Sequence, residues 1–205
     1  MCGIVGYIGS NNAVPILIDG LKKLEYRGYD SAGIAINQNN ELYINKKAGR
    51  IKNLEKAISE DLYSTIGIGH TRWATHGEPT EVNAHPHYNK TKSIAVIHNG
   101  IIENYMEIKK WLMEDKGVVF ESDTDTEVIA HLIDQFYKGD LVKAVEKSVK
   151  RLLLDIDHVW DAQEEESGPL DFDKNVILTK LSNMHKISRQ AFWNVTTEEA
   201  KEAWK

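Results

Sequence analysis

The feature that most limits the fold is a pair of short segments that alternate around two asparagines. Residues 32–37 and 41–46 alternate in polarity, and Asn39-Asn40 lies between them. A period of two predicts strands, and the short asparagine turn predicts that they pair as an antiparallel hairpin. Such a hairpin, followed by groups of strands and helices, favours an α+β fold over a doubly wound parallel sheet.

Further strands and helices are predicted on both sides of this hairpin. Short apolar or β-branched runs predict strands over residues 3–8, from residue 66, and over 93–97. Apolar residues at helical spacing predict helices from Val14 to Leu21, with Pro15 tolerated in the first turn, and from Ile51 to Leu62. Two or three more helices are predicted over residues 101–115, 126–137 and 140–153.

The composition changes near residue 155. Between Asp155 and Asp173 there are eight acidic residues and no Lys or Arg, which indicates an exposed linker or a solvated face. A helix over residues 176–184 and a last short helix after Thr196 are predicted beyond it. We therefore expect one domain over residues 1–152 and a divergent acidic linker and helical tail over residues 153–205.

The charge balance and the cysteine count exclude several functional classes. The net charge is −6 and the basic residues are scattered, so nucleic acid is not expected as a partner. A single cysteine cannot form an internal disulfide, and no long apolar run predicts a signal peptide or a membrane span. We expect a cytoplasmic protein with no membrane partner.

That single cysteine, Cys2, directly follows Met1 and precedes Gly3. If Met1 is removed, Cys2 carries both a thiol nucleophile and a free α-amino group that can act as its general base. The α-amino pKa of about 7.7–8.0 and the thiol pKa of about 8.5 are close enough for proton exchange. The alternative is a small buried hydrophobe at the start of a strand. Position alone does not decide between them.

The segment from His70 to Gly77 collects imidazoles, hydroxyls and one arginine in a turn-like stretch after a strand. Arg72 could clamp a carboxylate through two parallel hydrogen bonds, and Thr75 could add another. Loops collect such residues by default, so an ordinary polar loop is the alternative interpretation.

His98-Asn99-Gly100 follows the predicted strand over residues 93–97. The Asn99 amide and the Gly100 N–H are two donors that can converge on one oxyanion. The alternative is a hairpin turn, for which Asn-Gly is a common sequence.

Two carboxylates, Asp123 and Asp125, precede the helix predicted over residues 126–137. We expect one of them to cap that helix, which leaves the other for a ligand ammonium. His85 and His87 form the nearest pair of imidazoles, but no carboxylate or cysteine stands at a familiar ligand spacing, so no metal is expected.

Four blocks stand in a characteristic order, at residues 1–9, 26–33, 70–77 and 98–104. They resemble the class II glutamine amidotransferases, whose nucleophile is an N-terminal cysteine. Within that family they are most similar to the glutaminase domain of the glutamine–fructose-6-phosphate aminotransferases (isomerizing), which make glucosamine 6-phosphate. The resemblance covers about residues 1–152.

The resemblance implies a reaction and an oxyanion site. Cys2 would attack the side-chain amide of glutamine, form a thioester and release ammonia. Asn99 and the Gly100 N–H would hold the oxyanion of the tetrahedral intermediate. No cofactor is implied.

The resemblance also implies how glutamine is bound. Arg72 would bind the α-carboxylate with help from Thr75 and His76, and Asp125 would hold the α-ammonium. Trp73 would lie beside the site, and Arg27 would belong to a segment near the nucleophile.

The implied fold is a four-layer α/β/β/α sandwich of the N-terminal nucleophile hydrolase type, which the divergent residues after 152 would leave incomplete. The chain shows no resemblance to the isomerase domains of the longer relatives, so we expect a glutaminase half with glutamine as its partner. The alternative is a truncated or fused remnant that binds glutamine or a protein with weak or no turnover. The sequence leaves a homo-oligomer open.

Overall fold

The computed structural model describes residues 2–74 and 77–152. Thr75, His76 and the predicted acidic linker and helical tail lie outside the described residues. The boundary expected after residue 152 therefore stays a prediction.

A four-stranded antiparallel sheet forms the larger part of the fold. Its strands are β1 (Gly3–Ile8), β2 (Ser31–Gln38), β3 (Glu41–Ala48) and β4 (Ile66–Arg72), in the order β1-β4-β2-β3. Asn39 and Asn40 join β2 to β3 with φ values of 54° and 66°. Two successive positive φ values match a hairpin turn of type I′, which asparagine tolerates. The predicted hairpin is confirmed.

Two helices cover one face of this sheet. They are α1 (Ala13–Lys23) and α2 (Ile51–Ala57), which contact each other as well as the strands. Gly67 and Gly69 let α1 approach β4, since a Cβ on Gly67 would lie 2.8 Å from Leu17. Leu17, Leu21 and Ile34 are fully buried at this contact. Helix α1 thus covers the glycine face of β4, and the other face of the strand is left for the opposite layer.

The opposite face of the sheet meets the residues around His85. A Cβ on Gly33 of β2 would lie 2.2 Å from the His85 carbonyl oxygen, so only glycine permits this approach. Directly after it, β5 (His87–Tyr88) pairs with β6 (Ala95–Val96) in a two-stranded antiparallel sheet. This small sheet forms the third layer.

Three helices follow, namely α3 (Tyr105–Lys116), α4 (Glu127–Phe136) and α5 (Leu141–Val149). Helix α4 contacts β5 and β6 on one side and α3 and α5 on the others. A second core forms there from Ile102, Ile108, Leu112, Val128, Leu132 and Leu152. The described elements therefore lie in the order helix, sheet, sheet, helix. The expected α+β class is confirmed.

Several predicted boundaries were wrong. Helix α2 ends at Ala57 and not near Leu62, because Ile58 takes an extended conformation. The strand predicted over residues 93–97 is reduced to Ala95–Val96, since β5 offers only two residues for pairing. Strand β4 continues through Arg72, so the first three residues of the supposed polar loop belong to the sheet.

In the part of the chain that the structure describes, no helix is both long enough and apolar enough to cross a lipid bilayer.

Candidate active site

The half-buried thiol of Cys2 lies at the end of β4. Gly3 pairs with Thr71, and continuing this register brings Cys2 opposite Arg72. The Trp73 backbone N–H donates to Cys2 Sγ across 3.2 Å. Cys2 Sγ also lies 3.8 Å from the Trp73 carbonyl oxygen, so the Trp73 backbone holds the sulfur at the end of β4.

Asn99 is attached to the same strand through His70. The distance between His70 Nε2 and Asn99 Oδ1 is 2.7 Å, and the His70 ring is fully buried. Burial lowers the pKa of His70 to about 4, so its imidazole is neutral at pH 7. His70 stands two residues before Arg72, about 7 Å along the strand. The spacing of β4 therefore brings Asn99 towards the end where Cys2 lies.

Gly100 lies against the ring of His98. A Cβ on Gly100 would be 2.8 Å from His98 Nε2, so a side chain there would require the ring to move. His98 is buried, and its Nδ1 lies 3.3 Å from Thr126 Oγ1. Neither Asn99 nor Gly100 has a positive φ, which a type I′ hairpin turn would require at both positions. The hairpin alternative for Asn99-Gly100 is wrong.

Arg72 is buried at the end of β4 and holds the segment that follows. Its guanidinium donates to the carbonyl oxygens of Gly77 at 3.4 Å and Glu78 at 3.3 Å. Thr75 and His76, which the sequence places between these partners, lie outside the described residues. Arg72 thus fixes the far end of that segment in this structure.

Asp125 joins the Asn99 segment to the start of α4. Its Oδ2 accepts the Ile102 backbone N–H at 2.9 Å. The capping role predicted for Asp123 or Asp125 is wrong, because Thr126 is the N-cap residue and makes no side-chain cap. Asp123 instead exchanges hydrogen bonds with Asn83, at 2.9 and 3.2 Å.

The Trp73 ring covers the turn that carries Arg27. Gly28 has a φ of +75°, and a Cβ there would lie 3.0 Å from Trp73 Cζ3. Arg27 precedes it at the end of a short 3₁₀ turn, Glu25–Arg27, and is half-buried. Trp73 itself is 54% exposed. The structure thus brings Trp73 and the Arg27 turn together beside Cys2.

Asp30 is a site residue that the sequence prediction missed. Its carboxylate accepts the Ala74 backbone N–H, and its own N–H donates to the Arg72 carbonyl at 2.8 Å. These two contacts hold the chain on both sides of Trp73. The available signal was an acidic residue two positions before the strand predicted over residues 32–37, inside the block at residues 26–33.

Behind the site lies a row of three buried imidazoles. The ring centroids of His70 and His85 are 4.2 Å apart, and those of His85 and His87 are 4.6 Å apart. Burial lowers the pKa of His87 to about 3 and that of His85 well below its usual value. Within residues 2–74 and 77–152, no group of three potential ligands is arranged to hold a metal ion.

Comparison with known proteins shows that the chain is similar to glutamine amidotransferases. Residues 55–146 match the family described as "Glutamine amidotransferase domain". The chain is 58% identical over 153 residues to "Glutamine--fructose-6-phosphate aminotransferase [isomerizing]" of Clostridium perfringens, covering 74% of this chain and 25% of that protein. Identity to the Aquifex aeolicus protein of the same name is 57% over 153 residues, covering 74% and 26%.

Two solved structures share the fold of the chain. The glutamine phosphoribosylpyrophosphate amidotransferase from B. subtilis, complexed with ADP and GMP, is 30% identical with a TM-score of 0.64. The similarity covers 75% of this chain and 33% of that one. A structure described as the allosteric regulatory enzyme of purine biosynthesis gives 30% identity and a TM-score of 0.65. The chain spans about a quarter of the length of the curated relatives it matches.

Proposed function

We propose that this chain, whose residues 55–146 match a glutamine amidotransferase domain, hydrolyses glutamine to glutamate and ammonia through a thioester on Cys2. One observation carries the proposal: a single strand connects the thiol to a candidate oxyanion donor. At its end, the Trp73 N–H donates to Cys2 Sγ, and further along it His70 holds Asn99.

The reaction begins when Cys2 Sγ attacks the amide carbon of the glutamine side chain and the carbonyl π electrons move to oxygen. Once Met1 is removed, the α-amino group takes the thiol proton and returns it to the leaving nitrogen. The C–N bond then breaks and ammonia departs, which leaves a glutamyl thioester. Water adds to the thioester, the C–S bond breaks, and glutamate leaves with the thiol restored.

The proposed oxyanion site consists of Asn99 and Gly100. The Oδ1 of Asn99 is engaged by His70, so the Nδ2 end of the amide is the end directed to a ligand. The Gly100 N–H supplies the second donor. Two such donors stabilise charge that develops only in the transition state, and each is typically worth about 10²–10³ in rate.

For glutamine binding, we assign the α-carboxylate to Arg72, assisted by Thr75 and His76, and the α-ammonium to Asp125. Arg72 is buried at the end of β4, where Cys2 lies, and its planar guanidinium matches a carboxylate through two parallel hydrogen bonds. The Asp125 carboxylate has acceptor sites beyond the one used by Ile102.

The remaining two site residues are proposed to enclose the reacting atoms. The Trp73 ring, over the turn that carries Arg27, would shield the thioester from bulk water before ammonia has left. Exclusion of water from a reactive intermediate is a common task of such rings and loops.

Only the glutamine half of an amidotransferase is assigned to this chain. The relatives named as fructose-6-phosphate aminotransferases are about four times longer than the matched region. Ammonia for glucosamine 6-phosphate synthesis would therefore pass to an acceptor site beyond the described residues.

The test is glutamate release by the purified full chain, with the mass of its N-terminus measured on the same sample. Chain that lacks Met1 should release glutamate from glutamine, and Cys2→Ala should abolish the release. Because Cys2 is the only cysteine, a thiol alkylating agent should add once, and glutamine should slow that addition.

A matched control carries an uncleaved peptide before Cys2, which keeps the thiol and removes the free amine. It should bind glutamine and turn it over far more slowly. Equal release by Cys2→Ala overturns the nucleophile assignment. Binding without release by the processed chain would instead support the glutamine-binding alternative.

A further inference from the structure

We propose that His70 is a positioning residue for the oxyanion site. His70 hydrogen-bonds Asn99 Oδ1 and thereby directs the amide N–H₂ of Asn99 towards the reacting carbonyl. The inference rests on the proposed function and deepens it. His70 does not touch the substrate in this scheme; it acts only through Asn99.

The His70 ring is held from several sides. Its backbone lies in β4 between two neighbours, since His70 pairs with Ile4 of β1 and with Gly33 of β2. The ring is fully buried and packs against His85 at 4.2 Å, tilted by 33°. His85 in turn sits over Gly33, where no Cβ would fit. Because neither strand nor ring has room to move, Nε2 is a fixed point in the site.

The orientation of the Asn99 amide follows from the hydrogen-bond inventory. If the amide were reversed, Nδ2 would donate to His70 Nε2 and the ring proton would sit on Nδ1. His70 Nδ1 is buried and has no hydrogen-bond partner in the structure. A buried N–H without an acceptor is rare and costly. Therefore Nε2 carries the proton and Asn99 Oδ1 accepts it, with a bare lone pair on Nδ1.

The ring also stays in one protonation state. Burial lowers the pKa of His70 to about 4, so a single N–H is present near neutral pH. Because Nδ1 is buried without an acceptor, that single N–H lies on Nε2 and the neutral ring can only donate to Asn99. This prevents the amide from rotating by half a turn, which would present Oδ1 rather than Nδ2 to the oxyanion.

The expected effect is on the transition state alone. Removing an oxyanion donor costs about 10²–10³ in rate, and leaving the donor present but unoriented should cost less, about 10–10². Because the charge develops only during attack, kcat should fall while KM stays within about twofold.

The test is a double-mutant cycle in the full chain with Met1 removed. His70→Met replaces the imidazole with an apolar side chain of similar size, and His70→Gln puts an amide N–H near the former Nε2. His70→Met should lower kcat about 10–10²-fold, and His70→Gln should restore most of it. In an Asn99→Ala background, His70→Met should have no further effect on kcat, because its only route to the reaction is gone.

His131→Met is the matched control for loss of a buried imidazole, since His131 lies on α4 and bonds Glu127 at 3.3 Å. It should lower thermal stability without lowering kcat. A His70→Met variant with wild-type kcat, or one whose loss of kcat persists in the Asn99→Ala background, overturns the proposal.

A second readout does not depend on turnover. In ¹⁵N spectra of the imidazoles, His70 should be the Nε2–H tautomer, and the Asn99 side-chain N–H₂ signals should broaden in His70→Met but not in His70→Gln. Finding the Nδ1–H tautomer reverses the direction of the His70–Asn99 hydrogen bond and overturns the proposal. If the wild-type chain releases no glutamate while these signals behave as expected, it is the proposed function that fails, together with the catalytic consequence.

Discussion

Three of the proposed site residues, Cys2, Asp125 and Arg72, have side chains that are held by backbone groups. Trp73 offers its N–H to Cys2 Sγ, Asp125 accepts the Ile102 N–H, and Arg72 donates to two carbonyls. These side chains are therefore fixed before any ligand arrives, so binding costs less conformational entropy.

Arg72→Ala tests the binding role at this scale. We expect KM for glutamine to rise at least about tenfold, because a charged hydrogen bond to the α-carboxylate typically contributes about 1.5–3 kcal/mol. Initial rates over a range of glutamine concentrations measure it. Arg50→Ala, at an exposed position before α2, is the control and should leave KM unchanged. An unchanged KM in Arg72→Ala would reject the carboxylate assignment.

The sequence identified most of the candidate residues but not their partners. The two adjacent donors at Asn99-Gly100 and the position of Cys2 directly after Met1 are local features, so they can be recognised in the sequence alone. His70, which donates to Asn99, lies 29 residues away from it, and Cys2, which accepts the Trp73 N–H, lies 71 residues away from Trp73. No local pattern contains either pair. The capping prediction for Asp123 failed for the same reason, because its partner Asn83 is 40 residues distant.

Among the elements, strand β4 serves both the packing of the core and the candidate site. One face of β4 has glycines at positions 67 and 69, which lets α1 pack closely against it. The other face carries His70 and Arg72, which belong to the candidate site. Alternation along a strand thus separates packing from chemistry. The sequence predicted where β4 begins, since Ile66 to Gly69 reads as a strand. The prediction missed the end of β4, because its last residues are polar and a polar segment is typical of a loop. In the structure these residues are buried.

Gly33→Ala tests how closely the two sheets must approach. The new Cβ would lie 2.2 Å from the His85 carbonyl oxygen, so the layers would have to separate. We expect the free energy of unfolding to fall by about 1–3 kcal/mol, measured by urea denaturation. Gly6→Ala in β1 is the matched control, with no atom within 4 Å of the new Cβ, and should change stability by less than about 0.5 kcal/mol. Equal losses in both variants would contradict the close approach.

At the scale of the whole molecule, the described interior contains several buried imidazoles. His70, His85, His87 and His98 are all buried, and burial lowers the pKa of each below the ordinary value of 6.5. The unfolded chain therefore binds more protons than the folded chain just below that value, which links stability to pH.

The sign of this linkage gives a measurable acid sensitivity. With folded pKa values of about 4 for His70 and about 3 for His87, stability is complete above pH 6.5 and falls as the pH falls towards those values. At pH 5 each of the two should cost about 2 kcal/mol of unfolding free energy. Urea denaturation at pH 7 and pH 5 measures the difference.

His87→Leu is the control for this assignment. It removes one buried imidazole, so its stability should depend less steeply on pH, although it loses the contact with Thr124 at 2.9 Å. A wild-type unfolding free energy that is the same at pH 5 and pH 7 would show that the imidazoles are not held neutral by burial.

The position of β1 at the edge of its sheet has a last consequence. Within the described sheet this strand has one neighbour, β4, and Cys2 stands at its very tip. Fraying of β1 would carry the sulfur away from the Trp73 N–H while the remaining three strands stay paired. The fraction of molecules ready to react then equals the fraction whose first strand is docked. On warming, the rate of glutamate release should therefore fall as β1 undocks, at a lower temperature than the one at which the rest of the fold melts.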